Sequence, residues 1–370
     1  MADDFTGASD AASFLVGAGM PTVLYNGIPK KLEPAAAAVI ALKTRSVASN
    51  LAVKESLAAF DYLLAHDATQ LYFKYCSTFD STPRGNIGPV IQAVLETYGY
   101  EQTIIAPSLP INGRVVKDQI LYVNGVPLGE SSMKDHPLNP MWTSSIVELM
   151  KPQSKLRHGI DYVVPDYETH TDGVNIVKQY AHLPFLTGGS GLLEHLGKQY
   201  NQETIGLTSG VEGKAIALSG SCSMATYAQT NQYKKTGRAF FVDPHKLRAG
   251  TQTIEELWRF VENTTNPLLY SNNRECEPAN NNELVEKTFA TLAKMAIERG
   301  YKRLIVAGGE TSGAVCLALN YHGFYIGDSI APGVPIMEPV GTDIRLALKS
   351  GNFGDHDFFE KSFAMTEVNQ

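Results

Sequence analysis

The sequence predicts an α/β fold of two domains, each built on a mostly parallel, doubly wound sheet, with a β-hairpin excursion in the N-terminal domain. Three observations carry this reading. Apolar runs recur, each followed by a small-residue or polar turn and then an amphipathic stretch, which is how βα units are written. Residues 111–150 break that rhythm: INGRVVKDQILYVNGVPLGESS places NG twice among β-forming residues, the signature of a hairpin. A polar, Gly-rich passage from about 187 to about 213 precedes a fresh βα series at Lys214, so the boundary is set between residues 1–205 and 206–370.

In chain order, 35–46, 70–82, 101–110, 214–223, 237–244 and 302–310 read as strands. DAASFLVGAG, IGPVIQAVLETYG, TIEELWRFVENT and ELVEKTFATLAKMAIERG carry helical periodicity. The Asn-rich segment 263–282 reads as a loop or connector. Such alternation places ligands at the carboxyl ends of the strands.

Composition bounds the function. The 370 residues are 44% hydrophobic and 19% charged, enough for sizeable cores. A formal net charge of −7 argues against nucleic acid or an anionic membrane as partner. The four cysteines show neither CxxC spacing nor a nearby His pair, so reduced thiols in a cytoplasm are expected, with no protein metal site. The first residues lack the basic and apolar regions of a leader, and no apolar stretch approaches membrane-spanning length.

Three glycine turns suggest where a polyphosphate binds. In VAGGETSGAV, Gly308 and Gly309 remove side chains where strand passes to helix, and Thr311 can cap that helix. Free amides at such a helix start bind phosphate, although a tight turn without ligand is an equally good account of six residues alone. ALSGSCSMAT, with Ser221, and LKSGNFGD, with Lys349 and Gly351, repeat the pattern within the same half. Taken singly, Ser221 is a helix cap and Lys349 a solvated surface lysine. Neither GxxxxGK[ST] nor GxGxxG is present, which counts against a dinucleotide-dependent dehydrogenase.

In the N-terminal half, Asp3 and Asp4 of ADDFTGASD can hold a polyol's hydroxyls, accept a proton, or simply cap a helix. Arg45, Lys74, Asp80, Arg84 and Arg114 follow at strand ends and turns, where cations match a carboxylate-bearing substrate. Ser77, Thr78, Ser81 and Thr82 can cap or donate to a sugar acid, and His136 stands before a proline in a loop.

ADDFTGASD, STFDSTPRGNIGPV, INGRVV with HPLNPM, TGGSG, LSGSCSMAT, GGETSG and LKSGNFG occur in that order over essentially the whole chain, which resembles the four-carbon acid sugar kinase family. STFDSTPRGNIG and HPLNPM look most like its 3-oxo-tetronate branch rather than the threonate or erythronate kinases. The resemblance implies an N-terminal acid-sugar domain, a C-terminal ATP domain and transfer of the γ-phosphoryl group to a terminal hydroxyl. It implies nucleotide contacts at Ser221, Gly308, Gly309, Glu310, Thr311 and Gly351, and acid-sugar contacts at Asp3, Asp4, Arg45 and Arg84-Gly85-Asn86, with Lys74 beside them. ATP with Mg²⁺ is the expected cofactor pair, Asp3 or Asp4 the expected base, and Arg45 and Arg84 the expected carboxylate partners. A homodimer stays open, as does a non-catalytic acid-sugar sensor. The family places a short strand before ADDFTG, whereas only Met1 and Ala2 precede Asp3 here, so a truncated first strand or a missing sheet edge is expected. Loops between the hairpin and GGETSG also look trimmed.

Overall fold

The computed structural model describes all residues except 136–138, 157–158, 201–209, 272–281 and 369–370. His136 and Cys276 lie outside the described residues. The chain forms two compact units, Met1–Thr204 and Ile205–Gln370.

The first unit runs α1 (Phe5–Gly17), β1 (Thr22–Asn26), β2 (Ala37–Ala41), α2 (Ser49–Leu64), β3 (Leu71–Lys74), α3 (Ile87–Tyr98) and β4 (Gln102–Ala106). It continues with β5 (Arg114–Lys117), β6 (Ile120–Val123), β7 (Val126–Pro127), α4 (Ile146–Met150), β8 (Asp161–Val163), α5 (His170–Tyr180), β9 (Phe185–Gly188) and α6 (Gly191–Gly197). β1 pairs with β2, β3 with β9, β9 with β4 and β4 with β8, all in parallel. Ala2 joins the two halves of this sheet, bridging Ala41 on one side and Lys74 on the other. Its amide donates to Ile40 O at 2.9 Å, and Lys74 N donates to Met1 O at 2.8 Å. Met1 and Ala2 thus lie in the interior of the sheet and not at a missing edge, with their backbone groups bonded to neighbours on both sides.

Burial explains the elements. β4 and β9 are covered on both faces, hence their unbroken apolar and small residues. Along α3, Ile87, Val90, Ile91, Val94 and Leu95 form one buried stripe, and Gly99 ends the helix at φ 70°. Each buried side chain of that kind contributes about 1.5–3 kcal/mol. α2 packs with α3, while α1 and α5 pack with α6. The hairpin excursion is present as the antiparallel sheet β5-β6-β7, tied to the core through Val116 and Leu121. Its turns fall at Asp118-Gln119 and Asn124-Gly125, all four with positive φ; the first NG instead leads into β5 with Gly113 at φ 72°.

The second unit runs β10 (Ala215–Ser219), α7 (Met224–Lys234), β11 (Ala239–Phe241), α8 (Pro244–Arg248), α9 (Ile254–Glu262), β12 (Leu268–Tyr270) and α10 (Asn282–Glu298). Then follow β13 (Arg303–Ala307), α11 (Gly309–Leu319), β14 (Gly323–Ala331), β15 (Val334–Pro339), β16 (Arg345–Lys349) and α12 (Phe358–Thr366). β11, β12, β10, β13 and β16 are parallel in that order; β15 and β14 add an antiparallel hairpin beyond β16. Two expectations are revised here. Residues 268–270, read as loop, are an interior strand, because Leu-Leu-Tyr is buried on both faces although flanked by turn formers. The second unit also carries its own hairpin. Cys222 is disulfide-bonded while Cys76 and Cys316 are free thiols, against the expectation of reduced cysteines throughout. Among the described residues no helix is long and apolar enough to cross a membrane.

Candidate active site

In the first unit, the carboxyl ends of adjacent strands gather the charges. Asp3 follows Ala2, Arg45 follows β2, and Lys74 closes β3. Arg45 grips Asp3 with two bonds, Nη2 to Oδ1 at 2.8 Å and Nε to Oδ2 at 3.0 Å. Its Nη1 reaches Asp4 Oδ2 at 2.5 Å and Asp80 Oδ2 at 3.5 Å. Burial alone disfavours Arg45's charge, yet the Asp3 and Asp4 carboxylates hold it protonated well above the ordinary arginine range. Burial pushes the Asp3 carboxyl up, with Arg45 opposing it. Asp80 and Phe79 both sit in the left-handed region, at φ 50° and 63°, a strained pair that aims Asp80 at the guanidinium.

Exposure separates the two aspartates. The side chain of Asp3 is 6% exposed and that of Asp4 27%. Asp4 Oδ1 accepts from Gly7 N at 2.6 Å, capping α1, so this carboxylate is at once a cap and an Arg45 partner. The space among Asp3, Thr44, Arg45, Asp80, Ser81 and Asn86 amounts to about 10 Å³, roughly one water molecule. Of the two carboxylates, Asp4 is the one open to solvent.

The other expected residues take different places. Lys74 is buried, pairs with Asp10 at 3.4 Å and donates to Tyr75 O at 2.9 Å. Arg84 lies exposed on the 82–85 turn, and a Cβ on Gly85 would collide with Ser81. Asn86 is saturated by the loop behind Arg45: its Nδ2 donates to Thr44 O at 2.7 Å and Val47 O at 2.9 Å, and its Oδ1 accepts from Ser49 at 2.7 Å. Its side chain thus sets the Arg45 loop instead of facing outward. Replacing Asn86 with Ala is expected to lower turnover about 10- to 100-fold by misplacing Arg45, with ADP affinity unchanged by calorimetry. Asp10 escaped the sequence reading; its i, i+6 spacing from Asp4 across a helix start was the available signal. Arg114, half-buried at the start of β5, bonds Asn112 O and has a buried Nε without a partner. Burial lowers its pKa, opposed by Cys76 and Asp10.

In the second unit, Ser219, Ala307 and Lys349 align across β10, β13 and β16, so the three glycine turns emerge side by side. The structure brings the expected residues of these turns together. A Cβ on Gly351 would lie 2.6 Å from Ser221 Oγ and 2.9 Å from Ser223 Cβ, and one on Gly308 3.1 Å from Ser221 N and Thr311 Oγ1. Gly351 O accepts from Ser223 Oγ at 2.5 Å and Thr226 Oγ1 at 2.7 Å. Gly308 adopts φ 124°, which only glycine takes without strain. It starts α11 with no side-chain cap, so the first-turn amides of Gly309, Glu310 and Thr311 have no intrahelical acceptor; Gly309 and Glu310 are exposed and Thr311 is buried. Gly308→Ala is expected to weaken ADP binding about 5- to 100-fold, since strain of about 1–3 kcal/mol is imposed at the cradle; an ADP titration checks this.

Lys349, read singly as a surface lysine, is fully buried. Its ammonium donates to Thr226 Oγ1 at 2.8 Å, Gly351 O at 3.0 Å and Ser350 O at 3.1 Å, and burial lowers its pKa to about 7. It pins the 350–351 turn against α7.

Residues 1–160 match the model of a sugar-binding N-terminal domain and residues 216–359 that of a nucleotide-binding C-terminal domain. The 3-oxo-tetronate kinase of Brucella melitensis is 39% identical, covering 97% of this chain and 93% of its own. That of Haemophilus influenzae is 37% identical over 99% of this chain and 98% of its own. A solved Salmonella typhimurium LT2 structure, described as a tRNA synthase, superposes with a TM-score of 0.88 at 37% identity over 98% of this chain and 97% of its own. Haemophilus influenzae protein HI1011 superposes at 0.80, also 37% identical, over 98% of both chains. With the ordered motifs, the two strand-end clusters and relatives matching over nearly its full length, the chain belongs to the four-carbon acid sugar kinase family.

Proposed function

We propose that this chain is an ATP-dependent kinase that phosphorylates the terminal hydroxyl of 3-oxo-tetronate to give its 4-phosphate, residues 1–205 holding the acid sugar and residues 206–370 the nucleotide. The observation that carries it is the side-by-side emergence of the three glycine turns from β10, β13 and β16, in a chain whose relatives of nearly the same length are 3-oxo-tetronate kinases. The acidic balance of the chain gives no support to a tRNA-directed activity.

Phosphoryl transfer asks a protein for positioning and for neutralisation of charge. Gly308 and Gly351 let the turns carrying Ser221 and Thr311 pack together, and the open space at Gly309 leaves the start of α11 accessible to a chain of phosphates. Mg²⁺ bound with ATP would neutralise phosphate charge, and Glu310, exposed in the first turn of α11, is the carboxylate of these turns that would hold it. Asp4 accepts the proton of the attacking hydroxyl. Arg45, paired with both Asp3 and Asp4, holds that carboxylate in place. Arg84, exposed and without a side-chain hydrogen bond among the described residues, and Arg114 with its unpartnered Nε, are the cations left for the substrate carboxylate. Because ATP is a cytoplasmic substrate, the reaction is placed there.

A coupled ADP-release assay with 3-oxo-tetronate, threonate and erythronate tests the reading. The highest kcat/KM is expected with 3-oxo-tetronate. Preference for threonate or erythronate moves the chain to another branch of the family, and acid binding without ADP release makes it a sensor.

A further inference from the structure

Away from both clusters, the first unit holds an imidazole whose hydrogen bonds leave one nitrogen bare. Tyr167 donates its single hydroxyl proton to Gly191 O at 3.0 Å. Its oxygen, 3.1 Å from His195 Nε2, must therefore accept, so Nε2 carries the proton of His195. That places the lone pair on Nδ1, which is buried and has no hydrogen-bond partner, in a side chain only 5% exposed. A bare buried acceptor is costly unless something fills it.

Two more ligating groups stand beside it. One donor atom each from His170, Glu194 and His195 lies within 4.8 Å of the others. The His170 and His195 rings meet edge to face, with centroids 4.6 Å apart. The Glu194 carboxylate is paired with the Lys198 ammonium at 2.5 Å. We propose that His170, Glu194 and His195 form a binding site for one divalent metal ion of the Zn²⁺ class, which would staple the first turn of α5 to α6.

The chemistry selects that class. Two imidazoles and a carboxylate suit Zn²⁺ and its borderline neighbours and are poor ligands for Mg²⁺, which prefers oxygen donors. Tyr167 plays the part usual behind a metal-bound histidine, accepting the proton of the other ring nitrogen and so fixing the tautomer. Donors bound 2.0–2.1 Å from a tetrahedral ion sit about 3.3 Å apart, so exposed His170 and half-exposed Glu194 swing inward on binding while His195 stays fixed. Lys198 competes with the metal for Glu194.

The test is calorimetric titration of the chelator-stripped full chain with Zn²⁺, without nucleotide. One saturable equivalent is expected. Replacing exposed His170 with Ala, and separately His195 with Ala, weakens it at least about tenfold, the scale on which a lost metal partner is felt. Lys198→Met tightens it, because the competing ammonium is gone. Absence of a saturable equivalent overturns the proposal, and so does uptake that His170→Ala leaves unaltered or that Lys198→Met weakens. His170 is exposed, so its variant keeps the test decisive even if His195→Ala does not fold.

Discussion

Replacing Asp4 with Asn lowers turnover on 3-oxo-tetronate by about 10²- to 10⁴-fold, the range expected when a general base is lost, and leaves ADP affinity as it was. Asn keeps the size of Asp and still caps α1 through its oxygen, so the fall reports loss of the proton acceptor and not of the helix start. Asp3→Asn is a different experiment. It removes the charge and one of the two acceptor oxygens that hold Arg45, leaving the half-buried guanidinium to Asp4 and Asp80, so it costs folding stability as well as activity. Urea melts separate the two: Asp4→Asn keeps its midpoint close to the parent's and Asp3→Asn does not. Unchanged turnover in Asp4→Asn would remove Asp4 from the chemistry.

Lys349→Met carries the second large effect. The variant leaves Gly351 O, Ser350 O and Thr226 Oγ1 without the ammonium, and one buried unsatisfied polar group costs about 1–3 kcal/mol. ADP affinity is expected to fall about 10- to 100-fold as the 350–351 turn relaxes. The pH dependence follows from the sign of the shift. Lys349's pKa is lowered to about 7 in the fold, whereas an unfolded lysine titrates near 10.4. Between those values the unfolded chain binds the extra proton, so this residue makes stability rise with pH across that window. Nucleotide binding runs the other way: phosphate anions favour the ammonium, so ADP affinity falls as pH climbs through 7. Lys349→Met flattens both trends, which melts and titrations at pH 6 and pH 9 measure directly.

The glycine turns were legible in the sequence because turns that pack this closely on one another show themselves by missing side chains, as at Gly308 and Gly351. The hairpin excursion was legible through Asn124-Gly125, though its first turn, Asp118-Gln119, carried no such mark. β12 was hidden because three buried residues between turn formers have too little length to show a period. The Asp3–Arg45 pairing was out of reach for a different reason. The partners are 42 residues apart and meet only because β2 and Ala2 are neighbours in the sheet. Lys349 and Asn86 show the same limit: a lysine beside a glycine turn looks solvated, and an asparagine in a family motif looks like a ligand. Burial and saturation of the side chain are properties of the packed fold, not of the local string.

The most direct test of the two-cluster account is amide hydrogen exchange of the full chain with ADP·Mg²⁺ and, separately, with 3-oxo-tetronate. The account predicts that the nucleotide protects 220–226, 308–313 and 350–354, and that the acid protects the segments carrying Asp4, Arg45 and Arg84. Protection by ADP confined to other segments, or by the acid at the glycine turns alone, would contradict it.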